Sequence, residues 1–467
     1  MSVFGGMQVA VIVLGVIRNK FVAIWLGPAG VALNAIFVST QDLILAALGL
    51  NLRTGGVREI SATSPDRRPL IARSLLRISL LLAAAAGVVT LLSSPLLSYF
   101  STGTESHWWW FALLSLGVSA AIWCEANLGI VQAVGSMRSL AVATLASNLI
   151  GTAIAIPLYY LIGLQAVLPV YLIIGFLMAA WAAGMRRRVY PMPPARLKLK
   201  EALRTAAPTL RLGGFLTLAA VAERLGSYLF VIYMNREASE VALGIYQAGF
   251  TVVGSYIGII FTAISTEYYP RLASVSHSKL RLRAFVGQEF KISAWVLTLV
   301  VIVFISADEL VVRLLYSSDF MPMLPFISIA ICGVIIRAFS VCVAYVILAR
   351  GDGRTFVVTE TVGVAIALVL KIAGYRLWGF TGLGVAYIMD QVLYSLLVWV
   401  VYRRRYGLTT SRGMFPLLAA STALALAALA AKAAWGWWAP LLLLPPVAAA
   451  AWHYIGPNIR PRSSVKI

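Results

Sequence analysis

Fourteen apolar stretches follow one another from Ser2 to Tyr454, each about twenty residues long, the length a helix needs to cross hydrocarbon. They run Ser2 to Leu26, Ala32 to Leu52, Ser74 to Ser98, Trp108 to Val134, Leu140 to Ile162, Gln165 to Gly184 and Ala206 to Tyr233. The others are Val241 to Glu267, Phe290 to Ala307, Met321 to Ala349, Thr355 to Tyr375, Phe380 to Tyr402, Met414 to Ala434 and Trp437 to Tyr454. Such a chain can satisfy its backbone in lipid only as a helical bundle or a closed barrel, and runs this long and continuously apolar read as helices. The connections are too short to fold separately, which excludes a large extramembrane enzyme domain. The expected fold is therefore an all-α polytopic membrane protein.

Composition agrees. Hydrophobic residues make up 61% of the 467 positions and charged residues 12%, whereas soluble domains run at about 45–50% and about 25%. The formal charge of +21 would suggest nucleic acid in a soluble protein. Here the basic residues sit in short loops on alternate connections, so the charge reads as membrane topology. Twenty-six Lys and Arg fall on one side, with runs at Arg53–Arg73, Arg186–Arg204, Arg271–Arg283 and Arg403–Arg412. The other side holds Arg236 and Arg313 and collects Glu105, Glu237, Glu240, Asp308, Glu309 and Asp319. By the positive-inside rule both termini are expected to be cytoplasmic. The N-terminus lacks a basic region and an AxA-like cleavage site, so it reads as the first spanning helix and not as a signal peptide. The cytoplasmic loops Met185 to Thr205 and Pro270 to Glu289 suit segments lying on an anionic leaflet, or act only as stop-transfer charge.

An internal repeat shapes the expected architecture. Val31-Ala32-Leu33 recurs as Val241-Ala242-Leu243, and at a constant offset of 216 Gly135 matches Gly351, Arg138 Arg354, Tyr159 Tyr375, Leu161 Leu377, Gly163 Gly379 and Tyr171 Tyr387. Duplicated transporters keep their substrate at the repeat interface. The expectation is two pseudo-symmetric six-helix lobes around a central cavity, residues 1–184 and 206–402. A cytoplasmic linker, 185–205, joins them, and a C-terminal helix pair with a basic tail, 403–467, follows.

Charges inside spans cost about 2.5–3.5 kcal/mol each at a helix centre, so they face a wet cavity or a partner. Arg18 lies nine residues below Gly27 and Asp42 eleven below Val31, which puts both at roughly 14–16 Å from the outer turn. Either Arg18 serves an anionic substrate with Asp42 as counter-charge or proton site, or the two form a structural ion pair between adjacent helices. Glu223 and Arg224 lie near the middle of the seventh span, with Arg211 closer to the cytoplasm. A guanidinium binds phosphate oxygens bidentately and keeps its charge when partly buried, so arginines suit a pyrophosphate headgroup. Arg53 and Glu267, at the cytoplasmic ends of the second and eighth spans, are candidate gate partners. Asp42, Glu223 and Glu267 are candidates for ion coupling or counter-charge. Lys20 is expected to snorkel outward, and Glu125, Arg337, Glu360, Lys371 and Asp390 to pair locally. Trp108, Trp109 and Trp110 read as an aromatic belt.

Enzyme signatures do not appear. There is no Gly-Lys dipeptide and hence no Walker A loop, and His107, His277 and His453 build no HExxH motif or local triad. Cys124, Cys332 and Cys342 all lie in apolar runs without a CxxC motif, so no disulfide, no metal and no cofactor are expected. A transporter is the expectation.

The stretch from Gly5-Gly6-Met7-Gln8 through IRNKFVAIWLGPAGVAL (Ile17 to Leu33) to NLRTGGVREIS (Asn51 to Ser61), with GIYQAGFTVVGSYIGIIFTAISTEYYPRLA (Gly244 to Ala273), resembles the polysaccharide transporter family. These are the O-antigen and related lipid-linked oligosaccharide flippases of the multidrug/oligosaccharidyl-lipid/polysaccharide exporter superfamily. The resemblance implies a flippase that moves an undecaprenyl-pyrophosphate-linked oligosaccharide to the periplasmic leaflet of the bacterial inner membrane by alternating access, without hydrolysing ATP. It implies cationic cavity residues that engage the anionic glycan or pyrophosphate, carried over to Arg18 and Arg53 within the matching block and, outside it, to Arg211 and Arg224. It also implies membrane lipids, a polysaccharide polymerase and a chain-length regulator as partners. Relative to the family the chain starts late within its first helix, and it has more spans than many O-antigen flippases. A peptidoglycan lipid-precursor flippase of the same architecture and a non-catalytic scaffold of the polysaccharide assembly complex are the alternatives. An acidic cavity, expected of a multidrug antiporter, does not fit Arg18 and Arg224.

Overall fold

The computed structural model describes residues 2–192 and 198–459; the side chains of residues 2–9, 199, 208–216, 262–267, 270 and 455–459 lie outside the description. In chain order the helices are α1 (Ser2–Trp25), α2 (Gly27–Leu48), α3 (Leu52–Ala62), α4 (Arg68–Leu92), α5 (Ser94–Thr102), α6 (Trp108–Ala133), α7 (Met137–Ile162) and α8 (Val167–Val189). They continue as α9 (Leu199–Tyr233), α10 (Glu240–Phe250), α11 (Gly258–Ser274), α12 (Lys279–Leu315), α13 (Leu324–Ala349), α14 (Gly353–Arg404), α15 (Met414–Trp435) and α16 (Leu444–Ile459). Among the described residues there is no strand.

Each of the fourteen expected spans falls on helix. Two of them form the single run of α14, which bends where Trp378 and Gly379 leave helical geometry. One is shared by α10 and α11, joined by a π-helical stretch at Thr251–Tyr256. The short helices α3 and α5 are additions that hydropathy merges into the ends of their neighbours. Among the described residues ten stretches are long and apolar enough to span a membrane on length and composition alone, and two of these, Met137–Val189 and Gly353–Arg404, hold two expected spans each. α1 and α16 complete the set.

The chain forms two compact units, Met1–Gln247 with Leu315–Asp319, and Ala248–Leu314 with Phe320–Ile467. In the first, α6 packs against α3, α4 and α8, α1 against α7, and α9 against α2, α3 and α4. Leu52, Ile60, Leu75, Val118, Ile122 and Ile130 belong to a buried cluster within it. In the second, α13 is buried on most of its circumference and packs on α11, α14 and α15, with Phe290, Phe339, Val343 and Tyr402 at the centre.

The repeat is written in the backbone as well as in the sequence. Helices α6 and α13 start and stop at positions 216 residues apart, and α7 and α14 start at the same offset. Gly135 and Gly351 both take a left-handed conformation, φ +78° and +70°. Around them the same bonds close: the amides of Ser136 and Asp352 reach the carbonyls of Val131 and Ile347, each at 3.2 Å. Those of Gly135 and Gly351 reach Gln132 and Leu348 at 3.0 and 2.9 Å. This is the Schellman arrangement, which needs a residue that tolerates positive φ. Gly163 and Gly379, 216 residues apart after the following turns of helix, also share a conformation, with φ +67° and +57° and ψ −140° and −134°.

Candidate functional site

The polar residues of the first unit converge on α1, α2, α7, α8 and α9. Arg18 stands half-buried on α1, and its charge acts on the hydroxyls of Tyr159 on α7 and Tyr171 on α8. Asp42 on α2 acts on the same Tyr171. Arg18 and Asp42 thus act on one tyrosine. Among the described residues Arg18 has no hydrogen bond and no ion pair.

Asp42 is engaged elsewhere. Arg224 Nη1 donates to its Oδ2 at 2.9 Å, joining α9 to α2, with 46% of the Arg224 side chain and 32% of the Asp42 side chain exposed. Glu223 precedes Arg224 on an exposed face of α9 and adds a second negative charge near Asp42. Next to Asp42, the Gln41 Oε1 is buried without a hydrogen-bond partner. Ser39 and Thr40 spend their hydroxyls on the Ile36 carbonyl, at 3.1 and 2.7 Å. The group combines a free guanidinium, a compensated guanidinium, two carboxylates and two phenols. Such a set can hold an anion and respond to its arrival.

Arg53, at the start of α3, lies apart from this group. Its Nε donates to Gln132 Oε1 at 3.1 Å, and its Nη1 sits 3.7 Å from Glu125 Oε2, both on α6. Gly129 makes room for it: a Cβ there would stand 3.2 Å from the Arg53 Cα. The side chains of Arg211 and Glu267 lie outside the described residues.

Several other charges within spans have partners among the described residues. Lys20 reaches the Tyr316 carbonyl in the connection ahead of α13. In the second unit Arg337 and Lys371 lie over the rings of Phe261 and Phe250 at 5.0 and 5.3 Å. Their charges act on Asp390, which also accepts from Gln391 at 2.8 Å, and Tyr394 donates to Glu360. Asp308, a fully buried carboxylate on α12, accepts from Lys432 on α15 and from Ser328 on α13.

Sequence reasoning did not single out Tyr171, Tyr159 or Gln132 as parts of a site. The repeat offers a signal for the tyrosines, since both hold positions matched by tyrosines 216 residues on. Gln132 carries none, because a lone glutamine in an apolar helix has no distinguishing spacing.

A model of the polysaccharide biosynthesis protein family matches residues 31–325. Among solved structures, the chain is similar to the lipid II flippase MurJ in an inward closed conformation, with a TM-score of 0.68 and 13% identity, covering 98% of this chain and 100% of that one. It is similar to a multidrug resistance MATE family transporter of the MOP superfamily in an inward-facing conformation, with a TM-score of 0.70 and 14% identity, covering 84% and 94%. A MOP superfamily transporter from Pyrococcus furiosus, described as having a binding pocket of reverse polarity, gives a TM-score of 0.58 at 14% identity over 86% and 94%. No curated protein matches. At these identities the structural likeness concerns the fold alone, the all-helical one of those proteins.

Proposed function

The chain belongs to the polysaccharide biosynthesis protein family, and from that premise we propose that it translocates an undecaprenyl-pyrophosphate-linked oligosaccharide across the bacterial inner membrane. The substrate would be an O-antigen or exopolysaccharide repeat unit, carried from the cytoplasmic to the periplasmic leaflet by alternating access without ATP hydrolysis. Both termini would be cytoplasmic, and a polymerase and a chain-length regulator would take the product onward.

The observation that carries this reading is Arg18, a half-buried guanidinium within a span that no carboxylate neutralises among the described residues. A positive charge at that depth is expensive without a partner. A pyrophosphate supplies the partner, with oxygens that match the guanidinium fork. The phenols of Tyr159 and Tyr171, which face Arg18 electrostatically, would add neutral donors to the same anion. Arg224 is held by Asp42 in this state. If Asp42 takes up a proton, or the anion competes for the guanidinium, Arg224 becomes a second ligand. Asp42 and Glu223 would then link headgroup binding to a proton or cation gradient, and Glu267 is proposed for the same role. Arg53 and Arg211 would meet the headgroup nearer the cytoplasmic entrance.

A second reading, a flippase of the peptidoglycan lipid precursor, draws support from the full-length fold likeness to a lipid II flippase. Both substrates carry the pyrophosphate, so Arg18 would serve either. The test is to reconstitute the purified chain into vesicles loaded with each lipid in turn and to follow the fraction reached by a membrane-impermeant glycan probe. Transport of the oligosaccharide lipid in preference to the peptidoglycan precursor supports the first reading, and the reverse preference supports the second. Transport of neither contradicts both and leaves a scaffold of the assembly complex.

A further inference from the structure

The arginine-rich side of the second unit gathers its charge on one shelf. Helix α12 extends ahead of its spanning portion, and there Leu282, Val286 and Gly287 are buried against the core while Lys279, Leu280 and Arg281 are exposed. The connection between α14 and α15 lies directly against this extension. Arg283 Nε donates to the Thr410 carbonyl at 3.1 Å. A Cβ on Gly287 would stand only 2.0 Å from Ser411 Oγ, so the helix backbone and the connection touch. Lys279 Nζ lies 3.2 Å from the place a Cβ on Gly407 would occupy.

The consequence is that Arg403, Arg404 and Arg412, all exposed, join Lys279 and Arg281. Arg405 is taken by Asp352 at 2.6 Å. Among the described residues, none of the other five is in an ion pair. Two further observations point to lipid. On α14 the exposed Met389, Val392, Leu393 and Leu396 form a stripe at helical spacing, the face a spanning helix turns to acyl chains. Arg403 continues that stripe two turns after Leu396 and lies over the Trp399 ring at 5.5 Å. A headgroup whose tails follow the stripe therefore arrives at Arg403. Leu280, 77% exposed between two cations, gains nothing from a soluble anion but inserts favourably at a bilayer interface.

We propose that this shelf binds anionic phospholipid of the adjacent leaflet, with the five cations holding phosphate headgroups and Leu280 seated among the upper acyl carbons. Basic residues near an anionic leaflet attract it individually, and the attraction weakens with salt.

The test uses the purified full-length chain in phosphatidylcholine vesicles carrying a trace of spin-labelled phosphatidylglycerol or phosphatidylcholine. The ratio of the two labels immobilised at the protein is measured at increasing salt. The wild-type ratio should favour phosphatidylglycerol and decline with salt. The variant carrying Lys279→Gln, Arg281→Gln, Arg403→Gln, Arg404→Gln and Arg412→Gln should lose this preference by at least about fivefold, the loss that a single basic residue's attraction already amounts to. The corresponding Arg→Lys variants should keep it, which separates loss of charge from loss of fold. Leu280→Gln should weaken it as well. No preference in the wild type, or an unchanged ratio in the five-Gln variant, overturns the proposal. Displacement of the lipid by inorganic phosphate beyond that by chloride at equal ionic strength also overturns it, in favour of a soluble-anion site.

Discussion

Arg224 on α9 closes on Asp42 of α2 at 2.9 Å, which leaves Arg18, whose charge reaches the same Tyr171 as Asp42, without a carboxylate of its own. The unit therefore holds a compensated guanidinium, Arg224, and an uncompensated one, Arg18. The two should respond differently to substitution.

Arg18→Gln should reduce translocation by about 10- to 100-fold, the worth of a hydrogen bond to a charged group, with membrane abundance unchanged and partial recovery in Arg18→Lys. Arg224→Gln and Asp42→Asn should each lower the rate, and the double variant should lose less than the two losses summed, because the two side chains are in direct contact. Initial rates in vesicles, normalised to protein content, provide the check.

The Asp308–Lys432 pair should be the most consequential contact of α15. Asp308 is fully buried and takes bonds from Lys432, Ser328 and the Glu309 amide. Lys432→Met strands that carboxylate and should cost about 3–5 kcal/mol, and adding Asp308→Asn should recover much of the loss. Thermal unfolding in detergent measures both.

At the later turns, Gly163→Ala and Gly379→Ala place a Cβ in positive-φ backbone with ψ −140° and −134°, which side chains hardly adopt, and should each cost about 1–3 kcal/mol. Gly175→Ala, inside α8 at ordinary φ with nothing within 4 Å of the new carbon, should instead raise the unfolding midpoint, stabilising by up to about 0.5–1 kcal/mol.

Outside the membrane, Asp352 ties the start of α14 to the residues that follow its end. Desolvation raises its pKa, but hydrogen bonds from Arg405, Thr355 and Tyr406 overcome this and hold it down to about 2. A carboxylate with a depressed folded pKa stabilises fully above its unfolded value and loses that contribution as pH falls through the folded one. The stability difference between the wild type and Asp352→Asn should therefore be constant from neutral pH down to about 5 and shrink toward pH 2. Arg405 is largely exposed, so the difference should also shrink with salt.

Much of the fold was legible because lipid leaves few choices. A run such as Leu324–Ala349 has no polar gap in which to end, and the Gly135 and Gly351 turns announce themselves by residue type and spacing. The bends at Met234–Ala238 and Thr251–Tyr256 were not legible, since no proline marks them and π-helical geometry is set by packing. The partners of the charges were legible only as classes. Depth arithmetic places Asp42 level with Arg18 on the neighbouring helix, yet its ion-pair partner comes from a residue 182 positions away. Rotation about the helix axis decides that pairing, and hydropathy in spans apolar all round does not report rotation. Asp308 hid for a similar reason: its lysine lies in α15, a helix whose composition suggests nothing but lipid contact.

The proposed translocation is tested most directly by the sidedness of lipid-linked oligosaccharide in cells depleted of this protein. A membrane-impermeant glycan probe is applied to intact and to lysed spheroplasts. Undecaprenyl-linked repeat units should accumulate and label only after lysis. Completed units that label on intact spheroplasts, outside but unpolymerised, would contradict translocation and place the protein at a later step.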